Sequence, residues 1–107
     1  MTKLFIAPAA RDDLQNITHY IETQLMNPAA AQITITNILK TFHILEIFPL
    51  IGTPLSRIAN IVTNYRFIKS GNYLIFYKYQ TNILYISRIL YHKQNCLQIL
   101  FPNTSLH

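Results

Sequence analysis

NYRFIKSGNYLIFYKYQTNILYISRIL, residues 64–90, is the most regular part of the chain. Its apolar residues change from a helical to a two-residue period across Tyr65–Lys69, Tyr73–Tyr79 and Ile83–Leu90. The interruptions, Ser70-Gly71-Asn72 and Gln80-Thr81-Asn82, are turn-forming residues, so the stretch predicts two successive hairpins and a three-stranded antiparallel meander. Upstream, Pro49, Gly52 and Pro54 punctuate a break that runs to about Asn60. Downstream, Gln94–Phe101 carries Leu97, Ile99, Leu100 and Phe101, a short strand or helical turn that closes over the sheet.

Ahead of the break the period is helical. Leu14, Ile17, Ile21 and Leu25 recur along one side of a helix expected from about Ala9 to Leu25, with Arg11, Asp12, Asp13, Gln15, Asn16 and Glu22 on the other. Asp12 and Asp13 are read as first-turn acids facing the positive end of the helix dipole. Asn27-Pro28 is a cap followed by a first-turn proline and starts a second helix. Its core stripe is Ala31, Ile35, Ile38, Leu39, Phe42 and Leu45, although the β-branched run Ile33–Thr36 weakens helix propensity. The two helices form an antiparallel hairpin. Lys3–Ala7, ended by Pro8, reads as a strand, and the order becomes β-α-α-β-β-β, an α+β fold in one domain spanning residues 1–107.

With 107 residues, half of them hydrophobic, the chain buries a core without disulfides, which excludes disordered and collagen-like classes. Cys96 is the single cysteine, so the fold does not depend on an oxidising compartment, and a cytoplasmic location is expected. The apolar run at the N-terminus stops at Pro8 and charges follow, so no export signal is read, and every other apolar run is too short to span a membrane. Nine Lys and Arg against four Asp and Glu leave a net charge of +5, created by scarcity of acid. The expected partner is therefore acidic: RNA, DNA or an acidic protein. No cofactor is expected, because His19, His43, His92 and His107 are dispersed, Cys96 lacks a partner in ligand spacing, and two glycines make no phosphate cradle.

Several segments in order carry a resemblance: AARDDLQNITHYI, NPAAA, ILEIFPLIGTPL, YRF followed after three residues by GNYLIFYKY, and ISRILYHKQNCLQILF. Together they resemble the RelE/ParE superfamily of toxins from bacterial type II toxin–antitoxin modules, over nearly the whole chain. The resemblance implies a helical hairpin packed on a twisted antiparallel sheet, a basic concave face, and an antitoxin from a neighbouring gene that wraps the toxin. It also implies one of two activities, since RelE-like and YoeB-like members cut mRNA, usually on the ribosome, whereas ParE-like members poison DNA gyrase.

Cleavage of RNA without a metal needs a base near the 2′-hydroxyl, cations around the phosphate and an acid for the leaving oxygen. The resemblance to the nucleases assigns His92, Arg66 and Tyr91 as catalytic residues; Arg88, by its alternation with His92, and Lys93, Lys69 and Lys78, by their nearness in sequence, are expected on RNA. His92 follows Tyr91 at the spacing of the YoeB-like Tyr-His pair, and histidine titrates near neutrality. Strict alternation puts Ile86, Arg88, Leu90 and His92 on one sheet face, so that Arg88 and His92 share a cleft; alternatively Arg88 bridges to Glu22, Glu46 or a carbonyl. Tyr73, Tyr77 and Tyr79 alternate on one strand and are either base-stacking platforms or ordinary strand formers.

Three departures count against the nuclease, the first being Lys93 where the YoeB-like pattern continues with tyrosine. Leu74 and Gln94 stand where RelE-like members carry arginine, and losing one such cation costs about 2–4 kcal/mol of transition-state stabilisation unless Lys69 or Lys78 replaces it. The RILYHKQN ending also resembles the RILHGRRD ending of ParE-like members. The sequence favours a toxin that stops translation by ribosome-dependent mRNA cleavage. The alternatives are a gyrase inhibitor with no catalysis of its own, and a degenerate toxin that keeps only antitoxin binding.

Overall fold

A computed structural model of the chain describes residues 2–102; His107, among the dispersed histidines, lies outside them. The elements are β1 (Lys3–Ile6), α1 (Pro8–Thr23), α2 (Pro28–Ile47), β2 (Thr53–Pro54), a single 3₁₀ turn (Leu55–Arg57), β3 (Arg66–Ser70), β4 (Tyr73–Gln80), β5 (Ile83–Tyr91) and α3 (Cys96–Leu100). Their order in the sheet is β1-β5-β4-β3-β2.

The sheet is mixed. β3, β4 and β5 form the expected antiparallel meander, but β1 pairs in parallel with β5, Lys3 opposite Ile83 and Ile6 opposite Ile86. The antiparallel sheet read from the sequence is corrected on this point. A strand followed by a long helical hairpin can return beside any later strand, and periodicity does not specify which. At the other edge, Thr53–Pro54 pairs with β3 inside what the sequence presented as loop. Pro54 has no N–H to give to a ladder, which suits an edge strand.

Local chemistry accounts for most element boundaries. Pro8 takes the first position of α1, and Asn27 caps α2 by accepting a hydrogen bond from the Ala30 N–H at 3.0 Å, with Pro28 following. Gly71, at φ +58°, occupies the first central position of the β3–β4 turn, which a type II′ turn reserves for glycine. Thr81 and Asn82 close the β4–β5 hairpin, both at positive φ. Asn95 caps α3, accepting from the Gln98 N–H.

Two apolar clusters sit on opposite faces of the sheet. Ala10, Ile17 and Ile21 of α1 and Ala31, Ile38, Phe42 and Leu45 of α2 cover Ile75, Tyr77, Leu84, Ile86 and Ile89. On the other face Leu55, Ala59, Phe76 and Leu90 are closed over by Tyr65, Phe67 and the α3 residues Leu97, Ile99 and Leu100. Leu25 and Leu39, expected in the helix core, are exposed, because α1 ends at Thr23 and the buried stripe of α2 lies one position to the side of Leu39.

Candidate functional site

The chemistry-bearing residues at the end of β5 are organised by one irregularity in the sheet. Phe76 pairs with Arg88 but Tyr77 pairs with Ile86, so Ser87 is an extra residue, a β-bulge. The bulge changes the phase of the strand. Leu84 and Ile86 face the helices, and after the bulge Ile89 faces them too, while Leu90 joins the opposite cluster. The single face proposed for Ile86, Arg88, Leu90 and His92 is therefore split.

Asp13 holds the bulge. Its carboxylate accepts two hydrogen bonds from the Arg88 guanidinium, from Nε at 2.8 Å and Nη2 at 2.9 Å, and a third from the Ile89 backbone N–H at 2.9 Å. This pairing raises the guanidinium pKa further above its ordinary value, against the opposing effect of burial. Asp13 is buried and is the sixth residue of α1, so it is not a first-turn acid. Arg88 therefore bridges to Asp13 rather than to Glu22 or Glu46, and the Nε–Nη2 edge of its guanidinium faces the carboxylate.

Asp13 is the residue that sequence reasoning misassigned, although a signal existed. It falls three residues after Ala10 and four before Ile17, on the buried stripe of the helix, where an acid requires a partner.

Beside this pair lies a groove of about 580 Å³ between α1 and the strand end, lined on one side by Asn16, Ile17 and Tyr20 and on the other by Tyr73 and Tyr91. The Tyr73 and Tyr91 rings lie 6.0 Å apart. Burial, and then the neighbouring phenols of Tyr91 and Tyr20, push the Tyr73 hydroxyl above the ordinary tyrosine range. Tyr91 donates its backbone N–H to Gln94 Oε1 at 3.0 Å, and its ring packs 5.0 Å from that of His92. His92 gives its own N–H to the Asn72 carbonyl at 2.9 Å, which ties the strand end to the β3–β4 turn. Lys93 follows in the exposed turn.

Arg66 is elsewhere. It lies at the start of β3, whereas Ser70 at the other end pairs with Tyr73 and, through it, sits alongside Tyr91. Four strand steps, roughly 13 Å, separate the two ends. One Arg66 nitrogen, Nη1, donates to the carbonyls of Gly52 at 2.8 Å and Leu50 at 3.2 Å. The Gly52 N–H in turn donates to the buried Tyr77 hydroxyl at 2.9 Å. Arg66 thus clamps the α2–β2 loop, and Tyr77 is a core side chain rather than a stacking platform.

The lysines divide similarly. Lys69 is exposed and directly opposite Leu74 across the ladder, within reach of the position where RelE-like members carry arginine. Lys78 lies between the rings of Tyr65 and Tyr85, its Nζ 5.0 and 5.1 Å from their centroids, a cation–π arrangement on the open face. Cys96 is half-buried, and burial pushes its thiol up, which leaves it a weak nucleophile. Among the described residues no three His, Cys, Asp or Glu side chains converge as metal ligands, and no helix is long and apolar enough to cross a membrane.

Comparison with known proteins agrees with this architecture. No curated protein sequence matches the chain significantly. Among solved structures, a chain described as the chromosomal ParDE TA system from P. aeruginosa superimposes with a TM-score of 0.69 at 21% identity, over 85% of this chain and 96% of that one. The sequence model of the family described as "ParE toxin of type II toxin-antitoxin system, parDE" matches residues 4–96. The chain, with its helical hairpin on a meander extended by a parallel first strand, belongs to the ParE toxin family of type II toxin–antitoxin systems.

Proposed function

We propose that this toxin acts by binding DNA gyrase, that it catalyses no reaction of its own, and that an antitoxin from its own module neutralises it. The observation that carries this reading is the fate of the two arginines assigned to RNA chemistry. Arg88 is bound in its intramolecular pair with Asp13, and Arg66 is hydrogen-bonded to loop carbonyls roughly 13 Å from the strand end. With Leu74 and Gln94 in the other two arginine positions, few cations remain near His92 to stabilise a developing phosphorane. Membership of the ParE family supports the same choice, since ParE-like members of the superfamily are the gyrase poisons.

The contact surface in this reading is the strand end, Tyr91, His92 and Lys93, an aromatic that lines the groove followed by an imidazole and an exposed ammonium. Aromatic and basic side chains of this kind serve as anchors in protein interfaces without any reacting atom. The deciding experiment adds the purified protein to gyrase supercoiling and cleavage-complex assays, and in parallel to a cell-free translation reaction in which new RNA 5′ ends are mapped. Inhibition of supercoiling with an intact message is the expected outcome. Ribosome-dependent cuts in the message with unaffected gyrase would return His92 and Lys69 to a nuclease role.

A further inference from the structure

We infer that Asp13 is a positioning residue for the strand-end surface: by holding the β5 bulge from the helix side, it sets which way Tyr91, His92 and Lys93 face. A β-strand repeats every two residues, so inserting one residue exchanges the faces of everything that follows. Without the bulge at Ser87, continuing the alternation of Leu84 and Ile86 would turn Arg88, Leu90 and His92 toward the helices and Ile89 and Tyr91 away. The observed strand instead keeps Ile89 in the helix-side core and Tyr91 lining the groove against Tyr20 of α1, while Arg88 reaches Asp13 from the bulge itself.

A bulge interrupts its ladder, and the interrupted strand needs other partners. Asp13 supplies them, because one carboxylate takes both the Ile89 N–H next to the bulge and the Arg88 side chain beside it. The acid comes from a different layer of the fold, 76 residues away in sequence, so the phase of β5 is fixed by tertiary contact with α1. The consequence for function rests on the strand end being the toxic contact surface, but the positioning itself does not.

The test compares the full-length protein with Asp13→Ala and Asp13→Asn variants, the second keeping a side-chain oxygen that accepts from the Ile89 N–H. Amide exchange and ring-to-ring nuclear Overhauser contacts are measured by NMR, and gyrase inhibition is measured at equal folded concentration. In Asp13→Ala the Ile89 amide is expected to exchange at least tenfold faster while the Ile75 and Leu84 amides stay protected. The Tyr91–Tyr73 ring contact is expected to disappear, and half-maximal gyrase inhibition should need at least tenfold more toxin. Asp13→Asn should fall between this variant and the parent on every readout, and it remains informative if the alanine variant does not fold. An unchanged Tyr91 contact in a folded variant lacking the Ile89 bond would overturn the inference, as would a uniform rise in exchange across all strands. If the parent itself fails to inhibit gyrase, the target reading falls, and the exchange and ring contacts still decide the positioning.

Discussion

Gly52 has a single acceptable side chain. A Cβ there would collide with the Tyr77 hydroxyl and stand 2.8 Å from the Phe67 carbonyl oxygen, both held in the packed interior. Gly52→Ala should therefore lower stability by about 1–3 kcal/mol, the usual cost of overpacking, and lower the melting temperature measured by circular dichroism by several degrees. Its partner Tyr77 ties stability to alkaline pH. Burial, the largest influence, raises its phenol above the ordinary value of 10.0, against the opposing effects of the Gly52 N–H and Arg66. The folded protein thus keeps a proton that the unfolded chain releases. Its contribution is complete below about pH 10, where the unfolded phenol is neutral, and is lost as pH rises through the folded pKa. Urea titrations should show stability falling above about pH 10. Tyr77→Phe should make that fall shallower, at the cost of leaving the Gly52 N–H without its acceptor.

At the level of single elements, the helix α2 and the β4–β5 hairpin make opposite demands. α2 is apolar around most of its circumference, so composition does not reveal its inner face; Ile38 is 0% exposed and its neighbour Leu39 47%. Leu39→Ala should change stability by less than about 1 kcal/mol, whereas Ile38→Ala should remove about 2–5 kcal/mol in the same chemical-denaturation assay. In the hairpin, Thr81 carries a β-branched side chain at φ +53° and Asn82 follows at φ +61°. Asparagine tolerates the left-handed region and threonine does not. Thr81→Asn should raise the melting temperature by a few degrees, corresponding to about 1 kcal/mol of relieved strain. Asn82 is left in place because its side-chain oxygen accepts from the Tyr79 hydroxyl at 3.0 Å.

The whole molecule is a slab of 40 × 39 × 21 Å, with the helical hairpin on one face of the sheet and α3 with the 55–61 segment on part of the other. Of its four acids, Asp13 is bound to Arg88, and Glu46 lies 3.9 Å from His43. The net charge of +5 already counts all four, so the folded chain carries an excess of cations that no acid of its own offsets. An acidic antitoxin segment should therefore be steered to it, and its association rate, followed by stopped-flow fluorescence of a labelled antitoxin, should fall roughly tenfold or more between low and high salt. The dissociation rate should change much less, because rim charges act mainly on encounter.

The sequence by itself determined the helical hairpin, the β3–β4–β5 meander, the superfamily and the excess of positive charge. These follow from period, caps, turn residues and composition, which are properties of neighbours along the chain. Its strand-end Tyr91-His92 pair was equally legible as a local motif. Only the tertiary structure decided that β1 runs parallel to β5, that Thr53–Pro54 forms an edge strand, and that Arg66 and Arg88 are engaged inside the protein. The reason is common to all three: each depends on groups distant in sequence meeting in space, within the sheet or, as for Asp13 and Arg88, across layers. A local pattern states what a residue can do, and its partners across the fold decide whether it remains free to do it.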